Sequence, residues 1–360
     1  MNKDKIIKII DKCLLNSPCD ADIRYDEPMS AHTSFKVGGP ADCLLRPVRK
    51  ERKNKIEQRA NNKYQLDENE ADDIAGFCAA LLNLARSAGI PVFILGGGAN
   101  IVVGDRGIRG IVLDTGGLKG QTLTEEGLII NSGTSMDEAA EYAASAGLSG
   151  LEFLAGMPGS IGGIVWMNAR CYGSEISDVL NWTEILLNEK FTVSNEQTAR
   201  FEQGNDSKDI TEDSKYTVKK IITGQSIGFG YKSSPFQKLD CLILRACFNL
   251  SPGGKDAIRR RMEKNRRDRT EKGHYLFPCA GSVFKNNHDF GKPTGLIIDE
   301  LGMRGLRLGG AQVAPFHGNI IINTGNATAA DIRALADKVA ANVKAATGFI
   351  LEPEILFIGE

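Results

Sequence analysis

The sequence is poor in the features that mark several other classes of protein. Its 360 residues include only two tryptophans and four histidines, and its eight cysteines (Cys13, Cys19, Cys43, Cys78, Cys171, Cys241, Cys247, Cys279) form no CxxC pair. With the histidines scattered as well, no zinc-ligand pattern is completed and no metal site is expected. Reduced thiols in a cytoplasmic protein are the simplest reading. No stretch approaches the roughly 20 apolar residues needed to span a bilayer, so no membrane insertion is expected. The N-terminal stretch interleaves Ile6, Ile7, Ile9, Ile10 and Leu14 with Lys3, Lys5, Lys8 and Asp11. That is helical spacing with charge throughout, not the unbroken apolar core of a signal peptide. An excess of one charge is also missing: the formal net charge is −1, so no global field draws the chain to nucleic acid. No period of about 20 to 50 residues repeats, which excludes solenoids and propellers.

What remains is an ordinary globular composition, 42% apolar and 25% charged, at a length that fits two or three domains. Glycine is the exception. Its 40 residues exceed the usual share of about 7% and cluster in loops without a Gly-X-Y period. Two polar stretches, 49–73 and 195–220, read as solvated insertions or long surface loops. Elsewhere Ile74–Ala88 has helical spacing up to Gly89, while Val92–Leu95, Ile101–Val103 and Ile111–Asp114 read as short strands. Ser135-x-x-Glu138 is a capping box opening a helix to Ala146 and Gly147. Thr328-x-x-Asp331 opens another, with Ile332, Leu335, Ala336, Val339 and Val343 on one face and Gly348 at its stop. Strands and helices mix without strict βαβ repetition, so the fold class is α+β and not a doubly wound sheet.

Four segments offer chemistry. Gly96-Gly97-Gly98-Ala99-Asn100 lies between two strands. A Rossmann phosphate site needs a helix there, but successive glycine N–H groups can also form a concave nest for a pyrophosphate. Leu154-Ala155-Gly156-Met157-Pro158-Gly159-Ser160-Ile161-Gly162-Gly163 describes a rigid loop built for close approach, with Asn168 to Gly173 soon after. Two such loops fit a dinucleotide gripped from both sides, or two structural turns. Cys279-Ala280-Gly281-Ser282-Val283-Phe284-Lys285-Asn286 sets a hydroxyl near amine and amide donors, without the glycines of a hydrolase elbow. Leu351-Glu352-Pro353-Glu354-Ile355 places two carboxylates near the end of an apolar strand, where glutamates ordinarily face solvent. Arg259–Arg269, basic on a helix, is interrupted by Glu263 and Asp268 and lacks aromatic residues; it reads as a solvated face and not as a nucleic-acid site.

Together these pieces resemble one family. His32-Thr33-Ser34-Phe35-Lys36-Val37-Gly38-Gly39-Pro40-Ala41-Asp42, the two glycine loops, Asn168, Gly230-Tyr231, the Gly281–Asn286 stretch and the Leu351–Ile355 terminus follow the order of the UDP-N-acetylenolpyruvoylglucosamine reductases, the MurB flavoenzymes. About 36 residues between Lys232 and Arg269 leave little room for a tyrosine-bearing lid, so the chain resembles the shorter, lidless type II-like branch.

The resemblance implies a vanillyl-alcohol-oxidase/PCMH-type FAD-binding domain and a C-terminal α+β substrate domain. Residues 1–116 would form a first flavin subdomain, with strand 347–360 returning to it. Residues 117–272 would form the second and 273–346 the substrate domain. It further implies FAD as cofactor, NADPH as hydride donor and UDP-N-acetylglucosamine enolpyruvate as substrate, handled in the cytoplasm by a monomer or weak dimer without nucleic acid. FAD would meet Gly96, Gly97, Gly98, Ala99, Asn100, Gly156, Pro158, Gly159, Ser160, Gly162, Gly163 and Asn168. Ser282 matches the family's proton donor and Glu354 its catalytic glutamate, against the solvent-facing expectation for that residue. Tyr172, Tyr231, Arg269, Lys272 and Asn286 match substrate contacts. Lys232 stands where arginine is usual, keeping the charge but losing the bidentate fork; Arg170, where glycine is usual, is a second source of positive charge. A same-fold flavoenzyme with another substrate and a non-catalytic flavin-binding protein are the alternatives.

Overall fold

The computed structural model describes residues 3–15, 17–50, 68–188, 200–202, 216–222 and 228–360. They form two compact units, one of residues 1–25, 43–97 and 110–263, the other of residues 26–42, 98–109 and 264–360.

In the first unit, helices α1 (Lys3–Leu15) and α2 (Glu68–Ser87) pack together over a four-stranded sheet. Its strands run in the order Cys19–Pro28, Pro40–Arg49, Ile108–Asp114, Val92–Leu95. A six-stranded antiparallel sheet follows, in the order 200–202, 216–222, 180–188, 241–248, 127–131, 121–124. Side chains alternate across a strand, and both faces of this sheet are buried. Ile185, Leu187 and Ile243 point into a core with α3 (Met136–Ala146) and α4 (Ile161–Met167). Leu186, Leu242 and Leu244 point into the core of α1 and α2.

The second unit is built on α7 (Ala329–Thr347) and α6 (Thr294–Glu300), with a three-stranded antiparallel sheet, 307–308, 311–313 and 321–323. Leu356–Ile358 pairs in parallel with Ile101–Val103. Helix α5 (Lys255–Glu271) carries the basic run. Both capping boxes form: Ser135 with Glu138, and Thr328 with Asp331. Gly147 and Gly348 close their helices at φ 74° and 78°, and the five apolar residues expected on one face of α7 are all buried.

Three expectations are corrected. Helix α2 begins at Glu68, so the acidic end of the 49–73 stretch forms its first turns and not a loop. Carboxylates are favoured at that end of a helix by its dipole. Likewise 200–202 and 216–222 are strands of the six-stranded sheet, and Tyr216 is buried. Its hydroxyl donates to Asp240 at 3.0 Å, a partner that composition does not reveal. The remainder of both stretches, 51–67, 195–199 and 203–215, lies outside the described residues. Finally, Glu352 and Glu354 precede the last strand, which starts at Leu356.

Candidate active site

In the first unit the two glycine loops meet. Gly97 N–H donates to Ser160 Oγ at 3.1 Å, and a Cβ on Gly97 would stand 2.5 Å from Gly159 Cα. No side chain fits that gap. The second loop ends sooner than the sequence suggests, because Gly162 and Gly163 belong to the first turn of α4. Gly162 lets the helix settle on Ser132, where a Cβ would come within 2.9 Å of the Ser132 Cβ. Gly156 is fixed by its N–H to Asp137 Oδ1, 2.9 Å, while Pro158 stays exposed.

Asn168 is fully buried in the left-handed region at φ 44°. Its amide donates to Gly230 O at 2.9 Å and Glu175 Oε1 at 3.3 Å, and its oxygen accepts from Ser177 N at 3.1 Å. That side chain thus anchors the turn carrying Tyr231 and Lys232. Tyr172 and Lys232 are also left-handed, at φ 53° and 55°. Residues other than glycine adopt this region at a cost, and three of the five such residues in the described chain lie here. The Lys232 turn is closed by reciprocal hydrogen bonds between Gly230 and Ser233, both 3.0 Å. Gln237 reinforces it, donating to Lys232 O at 3.2 Å and Trp166 O at 3.0 Å. Tyr172, Tyr231 and Arg170 are exposed.

In the second unit the His32–Asp42 motif supports the other end of the first glycine loop. Ser34 N–H donates to Gly98 O at 3.0 Å, and a Cβ on Gly98 would overlap His32 O. Among the described residues no backbone carbonyl accepts the N–H of Gly98 or Ala99. Such a pair of donors in a glycine turn suits an anionic oxygen, so these residues fit the pyrophosphate of a dinucleotide.

Ser282 lies on a central segment with a neighbour on either side. It bridges Ile320, and Val283 N–H donates to Asn319 O at 2.8 Å. On the other side Phe284 bridges Pro353, and Glu354 N–H donates to Val283 O at 2.7 Å. Ser282 and Glu354, 72 positions apart in the numbering, are therefore joined through backbone pairing. Glu354 is half-buried. Asn100, placed by resemblance at the cofactor, donates from its side chain to Glu354 O at 3.0 Å. A cleft of about 180 Å³ is lined by Ser282, Asn286, Asp299, His317 and Asn319 among others. Asn286 Oδ1 accepts Thr294 N–H at 2.9 Å, Lys285 pairs with Glu352, and Lys272 pairs with Asp268 at 2.8 Å. His317, Asn319 and Gln237 escaped sequence reasoning; no spacing marks them, and only hydrogen-bond partners give them roles.

Comparison with known proteins bears on the whole chain. Residues 272–358 match the C-terminal domain of UDP-N-acetylenolpyruvoylglucosamine reductase, and residues 77–190 match a FAD binding domain. The reductase of Treponema pallidum is 40% identical over 360 residues, covering 94% of each chain. The chain belongs to the UDP-N-acetylenolpyruvoylglucosamine reductase family. The Treponema denticola reductase is 36% identical, with 96% of this chain and 97% of the relative covered. The MurB crystal structure from Thermus caldophilus superposes with a TM-score of 0.65 at 27% identity, over 94% of this chain and all of that one. A MurB family fold, with an FAD-binding region and an α+β C-terminal domain, is thus what the sequence builds. Among the described residues, no helix is long and apolar enough to cross a membrane.

Proposed function

We propose that this chain reduces UDP-N-acetylglucosamine enolpyruvate to UDP-N-acetylmuramate with NADPH, through bound FAD, in cytoplasmic peptidoglycan precursor synthesis. The observation that carries the reading is the backbone pairing that brings Ser282 and Glu354 together in one unit, in a chain of this family.

The residues that would hold FAD are Gly96–Asn100, Gly156–Gly163 and the Asn168 turn. Joined glycine loops, together with the Gly98 and Ala99 N–H groups, support that assignment. The chemistry supplied by bound FAD is hydride transfer, taken from NADPH and delivered to the vinyl carbon of the enolpyruvyl ether.

The protein's own tasks are then electrostatic and acid–base. Hydride addition leaves negative charge on the enolpyruvyl carboxylate side, and Glu354, acting with a cation, shapes the field there. Lys232, held in its strained turn, supplies the cation. The Ser282 hydroxyl gives a proton to the carbon that carries the developing charge, and recovers one from solvent. A serine hydroxyl is a weak acid, so the site must stabilise the alkoxide while it lasts. Tyr172, Tyr231, Arg269, Lys272 and Asn286 would bind the nucleotide sugar, with residues 273–346 as the substrate domain and the regions before them as flavin subdomains.

An anaerobic visible spectrum tests this directly. Flavin bands should bleach on addition of NADPH and return on addition of the enolpyruvyl sugar. Bleaching without return would mean another acceptor, and a colourless protein that takes up no FAD would overturn the reading.

A further inference from the structure

His317 lines the Ser282 cleft and has no part in the mechanism above. Its Nδ1 accepts the Asn319 N–H at 3.1 Å, a bond that assigns the neutral ring's proton to Nε2. Asn319 is itself held on both sides: it is buried, with its side-chain oxygen accepting Phe284 N–H at 2.9 Å and its amide donating to Phe284 O at 2.8 Å. The imidazole is thus tied to the same backbone frame as Ser282. Its Cε1 edge faces Gly295, also in the cleft, where a Cβ would stand 3.1 Å away. A larger residue there would displace the ring.

The His274 ring lies 6.5 Å from His317, centroid to centroid. Burial, helped by the Arg269 charge, holds His274 down at about 4, and burial lowers His317 also, so both rings are neutral near pH 7. Arg269 Nε is buried and has no hydrogen-bond partner among the described residues. The acids nearby are taken: Asp268 by Lys272, and Asp299 by Arg304 at 2.5 Å. A buried donor without an acceptor is costly, and an anionic oxygen is the acceptor that Arg269 Nε would take.

We propose that His317 is a positioning residue for the substrate, offering Nε2–H to an anionic oxygen of the nucleotide sugar, on its diphosphate or its enolpyruvyl carboxylate. This rests on the reading of Ser282 as the reaction centre. It predicts that His317→Ala raises KM for the enolpyruvyl sugar roughly tenfold or more, the worth of one hydrogen bond to a charged group, with kcat changed far less. His317→Gln, which restores an N–H near the Nε2 position, should recover most of the loss. Flavin content and melting temperature should match wild type in both.

Competition by UDP, which has the diphosphate but no carboxylate, separates the two sources. Weaker competition in His317→Ala assigns the diphosphate, and unchanged competition with raised KM assigns the carboxylate. An unchanged KM in His317→Ala, or a loss that glutamine does not recover, overturns the proposal. Failure of the wild-type reduced flavin to be reoxidised by the sugar would instead overturn the proposed function.

Discussion

The side-chain amide of Asn100 donates to the backbone carbonyl of Glu354 at 3.0 Å, and the Asn100 carbonyl in turn accepts Leu356 N–H at 3.0 Å. The end of a glycine loop therefore clamps the carboxylate segment from both directions. Asn100→Asp would set an acceptor against an acceptor, at a cost of about 1–3 kcal/mol. The expected result is a fall of about tenfold or more in the rate at which the enolpyruvyl sugar reoxidises reduced flavin. A loss confined to FAD affinity would return Asn100 to a purely cofactor role.

The fold strains the backbone of Lys232, the proposed cation, into the left-handed region. Lys232→Ala should cripple substrate reduction, while Arg170→Ala, at an exposed hairpin position, should be tolerated. Steady-state rates for the two variants decide between them, and the reverse ranking would transfer the role to Arg170. Lys232→Arg should retain activity, because arginine offers a bidentate fork to the same carboxylate.

Ser282→Ala separates the two half-reactions. NADPH should still bleach the flavin, and the enolpyruvyl sugar should no longer restore the bands. Normal reoxidation in that variant would remove Ser282 from proton transfer.

Gly97→Ala tests the meeting of the glycine loops. The added Cβ has no room against Gly159, and such overpacking costs about 1–3 kcal/mol. The variant should purify with markedly less bound flavin, measured as the ratio of visible to protein absorbance. An unchanged ratio would show that the loops adjust freely.

Glu152 supplies a pH test of stability. It is buried beneath Arg261, which donates at 2.5 Å, and accepts from Gly150 N at 2.7 Å and Ser149 Oγ at 2.8 Å. Burial pushes its pKa up, but these partners together hold it below the ordinary 4.5. A depressed carboxylate stabilises the fold above its unfolded pKa and loses that contribution as pH falls through the folded value. Glu152→Gln should therefore melt several degrees lower at pH 7, with the gap closing below about pH 4. A gap independent of pH would mean that the charge of Glu152 is irrelevant.

Much of this molecule is written in local sequence. The capping boxes at Ser135 and Thr328, the apolar face from Ile332 to Val343 and the strands around the first glycine loop all form as their residues imply, because each depends on neighbours within a turn or two of chain. Segments 68–73, 200–202 and 216–222 misled for the same reason. Their polar composition suggests solvent, yet a helix start and a six-stranded sheet claim them.

The site divides in the same way. Motif order alone was enough to identify the family and to single out Ser282, Glu354 and Lys232. Only the tertiary structure decided what holds them. Asn168 anchors the Lys232 turn, Asn100 clamps Glu354, and Asn319 ties His317 to the Ser282 segment. Each partnership spans 35 to 254 positions. Hydrogen bonds over such separations leave no periodicity in a sequence, since they form between groups that only folding brings within 3 Å.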